Sequence, residues 1–146
     1  MTRPILHPTD FSSASLPALR TAADLAKRMR RPLLIVHVMS AVATVIGDMY
    51  VSPQVYDDLY RSMELQARKQ LARVVAKARA QGARASGLLL EGPYHERILR
   101  AARTRHAEMI VMGTHGRTGI KKVVLGSVAA RVLGEARCPV LTVRGR

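Results

Sequence analysis

The stretch AEMIVMGTHGRTGIKKVVLGSVAAR, residues 107–131, decides the fold of this chain. It opens with a short apolar run, Met109 to Met112, whose length and composition predict a buried strand. The strand leads directly into Gly113-Thr114-His115-Gly116, where two glycines permit a tight turn that other residues resist. After nine further residues, Gly126 and Ser127 precede apolar residues at helical spacing, which predicts that Ser127 is the N-cap of a helix.

The glycine spacing, G-x2-G-x9-G-S, suits an anion-binding loop. Backbone N–H groups of such a loop can turn inward, and the first turn of the helix adds unpaired donors and a partial positive charge. Both features favour phosphate. The stretch contains neither the G-x-x-x-x-G-K-[ST] pattern of a Walker loop nor the G-x-G-x-x-G pattern of dinucleotide-binding proteins. A sharp strand-to-helix connection without a ligand is the alternative interpretation.

The same stretch resembles the nucleotide loop of the universal stress protein family, in its ATP-binding branch. The likeness lies in residues 107–113, the GTHGRTG turn, LGSVAARVL and the closing CPVLTV, residues 138–143, and it extends over the whole chain. The resemblance implies a stress or regulatory protein that responds to bound ATP with Mg²⁺ and hydrolyses it slowly at most. It also implies a homodimer formed through the short final strand, residues 140–143.

Composition and length bound the other possibilities. With 146 residues, 48% of them hydrophobic, a single domain over residues 1–146 is expected. No apolar run approaches the roughly 20 residues of a membrane span, and the N-terminus lacks the features of a secretory signal, so a cytoplasmic protein is expected. The single cysteine, Cys138, is followed by proline and strand residues, which favours a packed structural position.

The formal net charge is +14, from 24 basic and 10 acidic residues. Phosphates of a polyanion could neutralise such a charge. Aromatic residues are only 3% of the chain, however, so side chains on which bases could stack are scarce. Arginine supplies most of the positive charge, and a genome-wide compositional preference explains this better than a nucleic-acid partner does.

Apolar periodicity predicts alternating strands and helices. Strands are expected at 4–7, 33–39, 85–91, 109–112 and 140–143, and helices at 16–30, 53 or 57 to 81, 94–105 and 127–136. Ser15 is the expected N-cap of the first helix. Residues 40–56 lack a clear period and are expected to form a long connection with about one helical turn. The alternation predicts a doubly wound α/β fold with a five-stranded parallel sheet, strand order 3-2-1-4-5, and helices on both faces.

Ligands of doubly wound sheets bind beyond the carboxyl ends of the strands, where the winding reverses. In the order 3-2-1-4-5 this point lies between the first and fourth strands. Pro8-Thr9-Asp10 and Gly113-Thr114-His115-Gly116 are therefore expected to converge on one crevice although they lie about a hundred residues apart. Asp10 suits ribose or Mg²⁺ there. A cap on the first helix is its alternative role.

The resemblance assigns individual contacts at this crevice. It implies that the adenosine lies against Pro8, Thr9, Asp10 and Val38. It implies that ribose and phosphates lie against Met112, Gly113, His115, Gly116, Arg117, Gly126, Ser127 and Val128. The chain departs from many relatives at Ala129, where a hydroxyl is common, so one phosphate contact is expected to be missing. Tyr94 stands where similar chains often have proline.

Three further interpretations compete with nucleotide binding. Residues 61–84 hold seven basic residues and one acid, so a basic helix that binds acidic protein or nucleic acid, beside a vestigial pocket, is the main alternative. A true enzyme is disfavoured, because no nucleophile with an adjacent base is evident. His7 and His37 are expected to be core residues, since no third ligand with metal spacing accompanies them.

Overall fold

The fold is built on a parallel sheet, seen in a computed structural model that describes residues 2–115 and 125–145. The strands are β1 (Ile5–Pro8), β2 (Leu33–Met39), β3 (Ala85–Glu91), β4 (Met109–Gly113) and β5 (Val140–Val143). The helices are α1 (Leu16–Arg28), α2 (Val42–Ile46), α3 (Pro53–Ala80), α4 (Tyr94–Thr104) and α5 (Ser127–Glu135), and a 3₁₀ turn, Ser13–Ser15, precedes α1.

The sheet has the order β3-β2-β1-β4-β5, and every neighbouring pair is parallel. This order confirms the predicted 3-2-1-4-5 arrangement. The winding of the chain reverses between β1 and β4. These two strands are paired, and Ile5 lies opposite Met109. The carboxyl ends of β1, β2 and β4 consequently meet at one edge of the sheet, which is where the fold presents ligands.

The core lies on both faces of the sheet, which explains the unbroken apolar runs of the central strands. On one face, Ile5, Ile35 and Val111 pack beneath α1 and α3. On the other face, alternate residues of the same strands pack beneath α4 and α5 with Ile98 and Val132. The long connection after β2 contains α2, the single short helix expected there.

Helix α3 is much longer than the strand that it precedes. Its 28 residues span about 42 Å, whereas the seven residues of β3 span about 23 Å. The buried residues of the helix, Ala67, Leu71, Val75 and Ala78, all lie in its C-terminal half. The N-terminal half therefore projects past the carboxyl edge of the sheet. Among the helices of residues 2–115 and 125–145, none is both long and apolar enough to cross a membrane.

Two predicted caps differ in detail from the structure. Gly126, rather than Ser127, is the N-cap of α5, and Ser127 is the first helical residue. The backbone N–H of Gly126 donates to the Thr114 carbonyl at 2.6 Å, which fixes the start of the helix one residue earlier than expected. Ser15 is the N-cap of α1, but its hydroxyl donates to the Ser12 carbonyl at 2.7 Å and does not cap the helix.

Candidate functional site

A cleft of about 750 Å³ opens at the carboxyl edge of the sheet, within the usual range of small-molecule sites. Its lining includes ten of the residues assigned by resemblance: Pro8, Thr9, Asp10, Val38, Met112, Gly113, His115, Gly126, Ser127 and Val128. The other two, Gly116 and Arg117, lie outside the described residues. The two remote turns predicted to converge therefore face one cavity.

The loop after β1 is held by the side chains of its own residues. Asp10 Oδ1 accepts hydrogen bonds from the Ser12 backbone N–H at 2.9 Å and from its hydroxyl at 2.5 Å. Phe11 takes a left-handed conformation, with φ of 66°, and its N–H donates to Thr9 Oγ1 at 3.1 Å. Asp10 thus orders the loop and does not cap α1, whose N-cap is Ser15.

The end of β4 and the start of α5 are joined by backbone contacts. Thr114 donates its N–H to the Val143 carbonyl at 3.0 Å and accepts from Gly126 N–H through its own carbonyl. A Cβ added to Gly126 would lie 3.1 Å from that carbonyl oxygen, so the close approach favours glycine. The N-terminus of α5 is thereby tied to the end of β4 and borders the cleft, where its N–H groups suit an anion.

His115 borders the cleft beside this junction. Its Nδ1 lies 2.9 Å from the hydroxyl of the buried Thr114, which orients the ring. Ala129 is buried in the next turn of α5 and also lines the cleft, without a hydroxyl. This end of the cleft, called the loop end, is therefore assembled mainly from backbone and short side chains. Its residues are Thr9, Asp10, Gly113, His115, Gly126 and Ser127.

His7 and His37 lie beneath the loop end as core residues. His7 is completely buried, and its Nδ1–H donates to the Val111 carbonyl at 2.9 Å, linking β1 to β4. Burial lowers the pKa of His7 to about 4, although the hydrogen bond to Val111 and the charge of Asp10 act in the opposite direction. His37 Nδ1–H donates to the Thr9 carbonyl at 2.8 Å, and its ring stacks on Phe11. Both rings brace strand ends under the cleft.

No metal centre is evident in the part of the chain that the structure describes, because no three His, Cys, Asp or Glu side chains there are grouped to hold an ion. Cys138 is partly buried against the α4–α5 core, in keeping with a packed position, and burial raises the pKa of its thiol. Its chemistry is therefore that of an unreactive core residue.

The opposite end of the cleft was missed by sequence reasoning. This end, called the helix end, lies between the projecting part of α3 and the start of α4. Its residues are Met39, Ser40, Met63, Gln66, Gln70 and Tyr94. Ser40 and Tyr94 are joined by a hydrogen bond between their hydroxyls, which links the end of β2 to the start of α4. The spacing of three and four residues between apolar residues of α3 is the available signal, but a core stripe and a cavity wall share this pattern.

The basic residues of segment 61–84 do not line the cleft. Arg61, Arg68, Lys69, Arg73, Lys77, Arg79 and Arg84 are all exposed, and none borders the cavity. Arg68 pairs with Glu64 at 2.8 Å, and Arg79 donates to the Ala85 carbonyl at 2.9 Å. Arg68 and Arg79 also flank a separate groove of about 500 Å³ between α3 and β3. The basic residues of segment 61–84 and the cleft therefore lie on distinct surfaces.

Comparison with known proteins agrees with this architecture. The model of the universal stress protein family matches residues 1–144. The universal stress protein YxiE of Bacillus subtilis is 35% identical over 149 residues, covering 99% of this chain and 100% of that protein. The solved structure of MJ0577 from Methanocaldococcus jannaschii has a TM-score of 0.85 at 25% identity and covers 100% of this chain and 98% of its own.

A universal stress protein from Archaeoglobus fulgidus, solved in complex with dAMP, shares the fold at a TM-score of 0.67 and 24% identity, covering 97% of this chain and 98% of its own. The family match spans nearly the whole chain and agrees with the sheet order and with the sequence motif. The chain therefore belongs to the universal stress protein family.

Proposed function

We propose that this universal stress protein binds ATP in the cleft between β1 and β4 and acts as a nucleotide-responsive stress or regulatory protein. The observation that carries the proposal is the convergence of the β1 loop and the N-terminus of α5 on one cavity. The complex of the Archaeoglobus relative with dAMP supports an adenine nucleotide as the ligand.

The residues of the cleft suit the parts of a nucleotide. The N–H groups at Ser127 and Val128 belong to the first turn of α5, so they are available to a phosphate, and the Ser127 hydroxyl is exposed beside them. Val38 and Met112 provide apolar contact at the ends of β2 and β4. Asp10 is positioned beside them to accept from ribose hydroxyls. The cavity volume is adequate for such a ligand.

Mg²⁺ enters this proposal with the nucleotide rather than as a resident ion. Asp10 is the one carboxylate among the described residues of the lining, and one of its oxygens already orders Ser12. Oxygen ligands from triphosphate and water satisfy much of the coordination that Mg²⁺ prefers. We expect Asp10 to contribute electrostatically to a Mg²⁺–ATP complex.

Hydrolysis is proposed to be slow at most. Phosphoryl transfer depends on a group that positions the attacking water and on charges that stabilise the transferred group. At the loop end, the described lining offers Asp10 alone as a carboxylate, and Ser12 holds it in place. Nucleotide binding, rather than turnover, is therefore proposed as the functional event.

Titration calorimetry with ATP and Mg²⁺ tests the proposal, and we expect a dissociation constant in the micromolar range. Gly126→Val should weaken binding at least tenfold, because the new Cβ would be forced against the Thr114 carbonyl. Gly134→Ala is the matched control, since a Cβ there meets nothing within 4 Å and the residue lies in the same helix. Absence of heat with the wild-type protein would contradict the proposal.

A homodimer through β5 is part of the same proposal. β5 is an edge strand of the sheet, and Leu133 and Leu141 are exposed near it. Unpaired edges of this kind favour association with another chain. Light scattering should give twice the 16.0 kDa mass of the chain, and a monomeric mass for the wild-type protein would contradict the dimer.

A further inference from the structure

The outer edge of β3 lies beside a groove that the proposed function does not use. In the described part of the chain, β3 pairs with β2 on one side and with no strand on the other. The groove between α3 and β3 has a volume of about 500 Å³. Its lining residues are Arg68, Leu71, Ala72, Val75, Ala76, Arg79 and Gly87. None of these residues lines the nucleotide cleft, so the groove is a separate surface.

The backbone of β3 presents hydrogen-bonding groups along this outer edge. The ladder to β2 begins at the Arg84 carbonyl and ends at the Gly92 N–H, in bonds of 2.9 Å and 3.1 Å. Bonds to one neighbouring strand recur at every second residue, so Leu88 belongs to the same set. The N–H and C=O groups of Gly87 and Leu89 consequently point away from β2. Groups of this kind favour pairing with another chain.

Arg79 lies where an added strand would begin. Its Nε–H donates to the outward-facing carbonyl of Ala85 at 2.9 Å, which holds the guanidinium at the start of the edge. The terminal nitrogens of the guanidinium are further donors. Arg79 forms no ion pair with any residue that the structure describes. The side chain is therefore available to a carboxylate at this edge.

Between its arginines, the groove has an apolar surface. Leu71 and Val75 are buried, whereas Ala72 and Ala76 are small and exposed. A Cβ added to Gly87 would lie 2.9 Å from Leu71 Cγ, so glycine lets α3 approach the strand closely. The two alanines leave space in which side chains of an added segment can lie against α3.

Charge favours an acidic occupant. Arg68 and Arg79 are separated by about 17 Å along the axis of α3, which is the length of about five residues of extended chain. Arg68 pairs with Glu64 and remains 62% exposed in the pair, and exposed pairs of this kind are weak, so another carboxylate can compete for it. A peptide suits the edge better than a nucleic acid, because its backbone can pair with β3.

We propose that the groove and the outer edge of β3 bind an acidic protein segment in extended conformation, which adds a strand to the sheet. Main-chain hydrogen bonds to Gly87 and Leu89 provide affinity for the backbone. Arg68 and Arg79 bind carboxylates of the segment, and its apolar side chains lie in the groove between them. The inference is independent of nucleotide binding, since the groove and the cleft share no residue.

A labelled peptide in which glutamate and valine alternate is the probe, and fluorescence anisotropy measures its affinity. Arg68→Gln/Arg79→Gln should weaken binding about tenfold, because two charge-assisted contacts are lost. Arg73→Gln/Lys77→Gln is the matched control, since it removes the same charge from exposed positions of α3 outside the groove. Its affinity should stay within about threefold of the wild type. Equal losses in the two variants, or a wild type that does not bind the peptide, would overturn the inference.

Amide hydrogen exchange distinguishes an added strand from attraction to a basic surface. The N–H groups of Gly87 and Leu89 should exchange more slowly when the peptide is bound. The N–H of Leu88, which already bonds β2, should change little. A peptide with lysine in place of glutamate is the control and should protect neither group. Unchanged exchange at Gly87 and Leu89 with the glutamate peptide would overturn the inference.

Ala76→Tyr fills the groove without changing any charge. Ala76 is exposed, so the thermal unfolding midpoint should remain close to that of the wild type, while peptide affinity should fall about tenfold. Ser62→Tyr is the matched control at an exposed position of α3 outside the groove. Unchanged peptide affinity in Ala76→Tyr would overturn the inference. Double-stranded DNA that competes with the peptide, or a change in the mass of Ala76→Tyr by light scattering, would also overturn it, in favour of nucleic acid or a second copy. ATP affinity should be the same in all these variants.

Discussion

The two ends of the cleft are built by different means. At the loop end, backbone groups and short side chains are fixed by hydrogen bonds such as that from Gly126 N–H to the Thr114 carbonyl. At the helix end, longer side chains extend from α3 and α4, and a hydrogen bond between Tyr94 and Ser40 ties α4 to the end of β2. One cleft therefore combines an end built largely from backbone with an end built from side chains on two helices.

Ser127→Glu should produce the largest loss of ATP affinity, and it should act on the loop end of the cleft alone. Two unit charges about 4 Å apart repel by about 4 kcal/mol at an effective dielectric constant near 20, so ATP affinity should fall about a thousandfold. The fold should be retained, because a carboxylate in the first turn favours a helix. Calorimetry measures the affinity and circular dichroism the unfolding midpoint.

Ala130→Glu provides the control for this prediction. It adds the same charge to the exposed side of α5, outside the lining of the cleft. ATP affinity in this variant should stay within severalfold of the wild type. If Ser127→Glu binds ATP as well as Ala130→Glu does, the phosphate does not lie at the start of α5.

The second prediction concerns the histidine beneath the loop end. The pKa of His7 is about 4 in the folded protein and about 6.5 when exposed, so the unfolded chain binds more protons between these values. The contribution of neutral His7 is present above pH 6.5, and the free energy of unfolding should fall by about 3 kcal/mol as pH drops from 6.5 to 4. Urea denaturation over this range measures the loss.

His7→Gln removes the titrating ring and should flatten this pH dependence. His106→Asn replaces an exposed histidine with a residue that tolerates its left-handed backbone. The free energy of unfolding of this variant should depend on pH as it does in the wild type. Identical slopes in wild type and His7→Gln would show that another group governs acid sensitivity.

The smallest effect is expected from Ala129→Ser. Ala129 is buried and lines the cleft near the start of α5, where the phosphates are proposed to lie. A hydroxyl at this position can add one hydrogen bond to a phosphate. A neutral hydrogen bond contributes about 1 kcal/mol, which corresponds to a gain of a few-fold in ATP affinity. Competition binding against labelled ATP resolves such a gain. Unchanged or weaker binding would place the phosphates away from this turn.

The same contrast explains what could be predicted from the sequence. Strand order and the convergence of Asp10 with Gly126 followed from local patterns, because glycine spacing and apolar runs reflect backbone requirements. The helix end did not follow, because it depends on how far α3 extends beyond the sheet. Gln66 and Gln70 carry no local mark of their environment, so a solvated helix face and a cavity wall have the same sequence signature.

One cap position was wrong, and one expected capping bond is absent, for a related reason. Ser127 has the preferred chemistry of an N-cap, yet a tertiary bond to Thr114 places Gly126 there instead. Ser15 is at the expected position, but its hydroxyl is occupied by Ser12. In both cases a contact from a neighbouring loop outweighs a helix-end preference that contributes only about 1 kcal/mol.

The bond between Thr114 and Gly126 holds the end of β4 against the start of α5. Since these anchors are already together, the entropic cost of a longer insertion rises slowly, by about 0.6 kcal/mol for each doubling of length. The sheet can therefore stay unchanged while the length of the sequence between Thr114 and Gly126 varies, in evolution or by engineering.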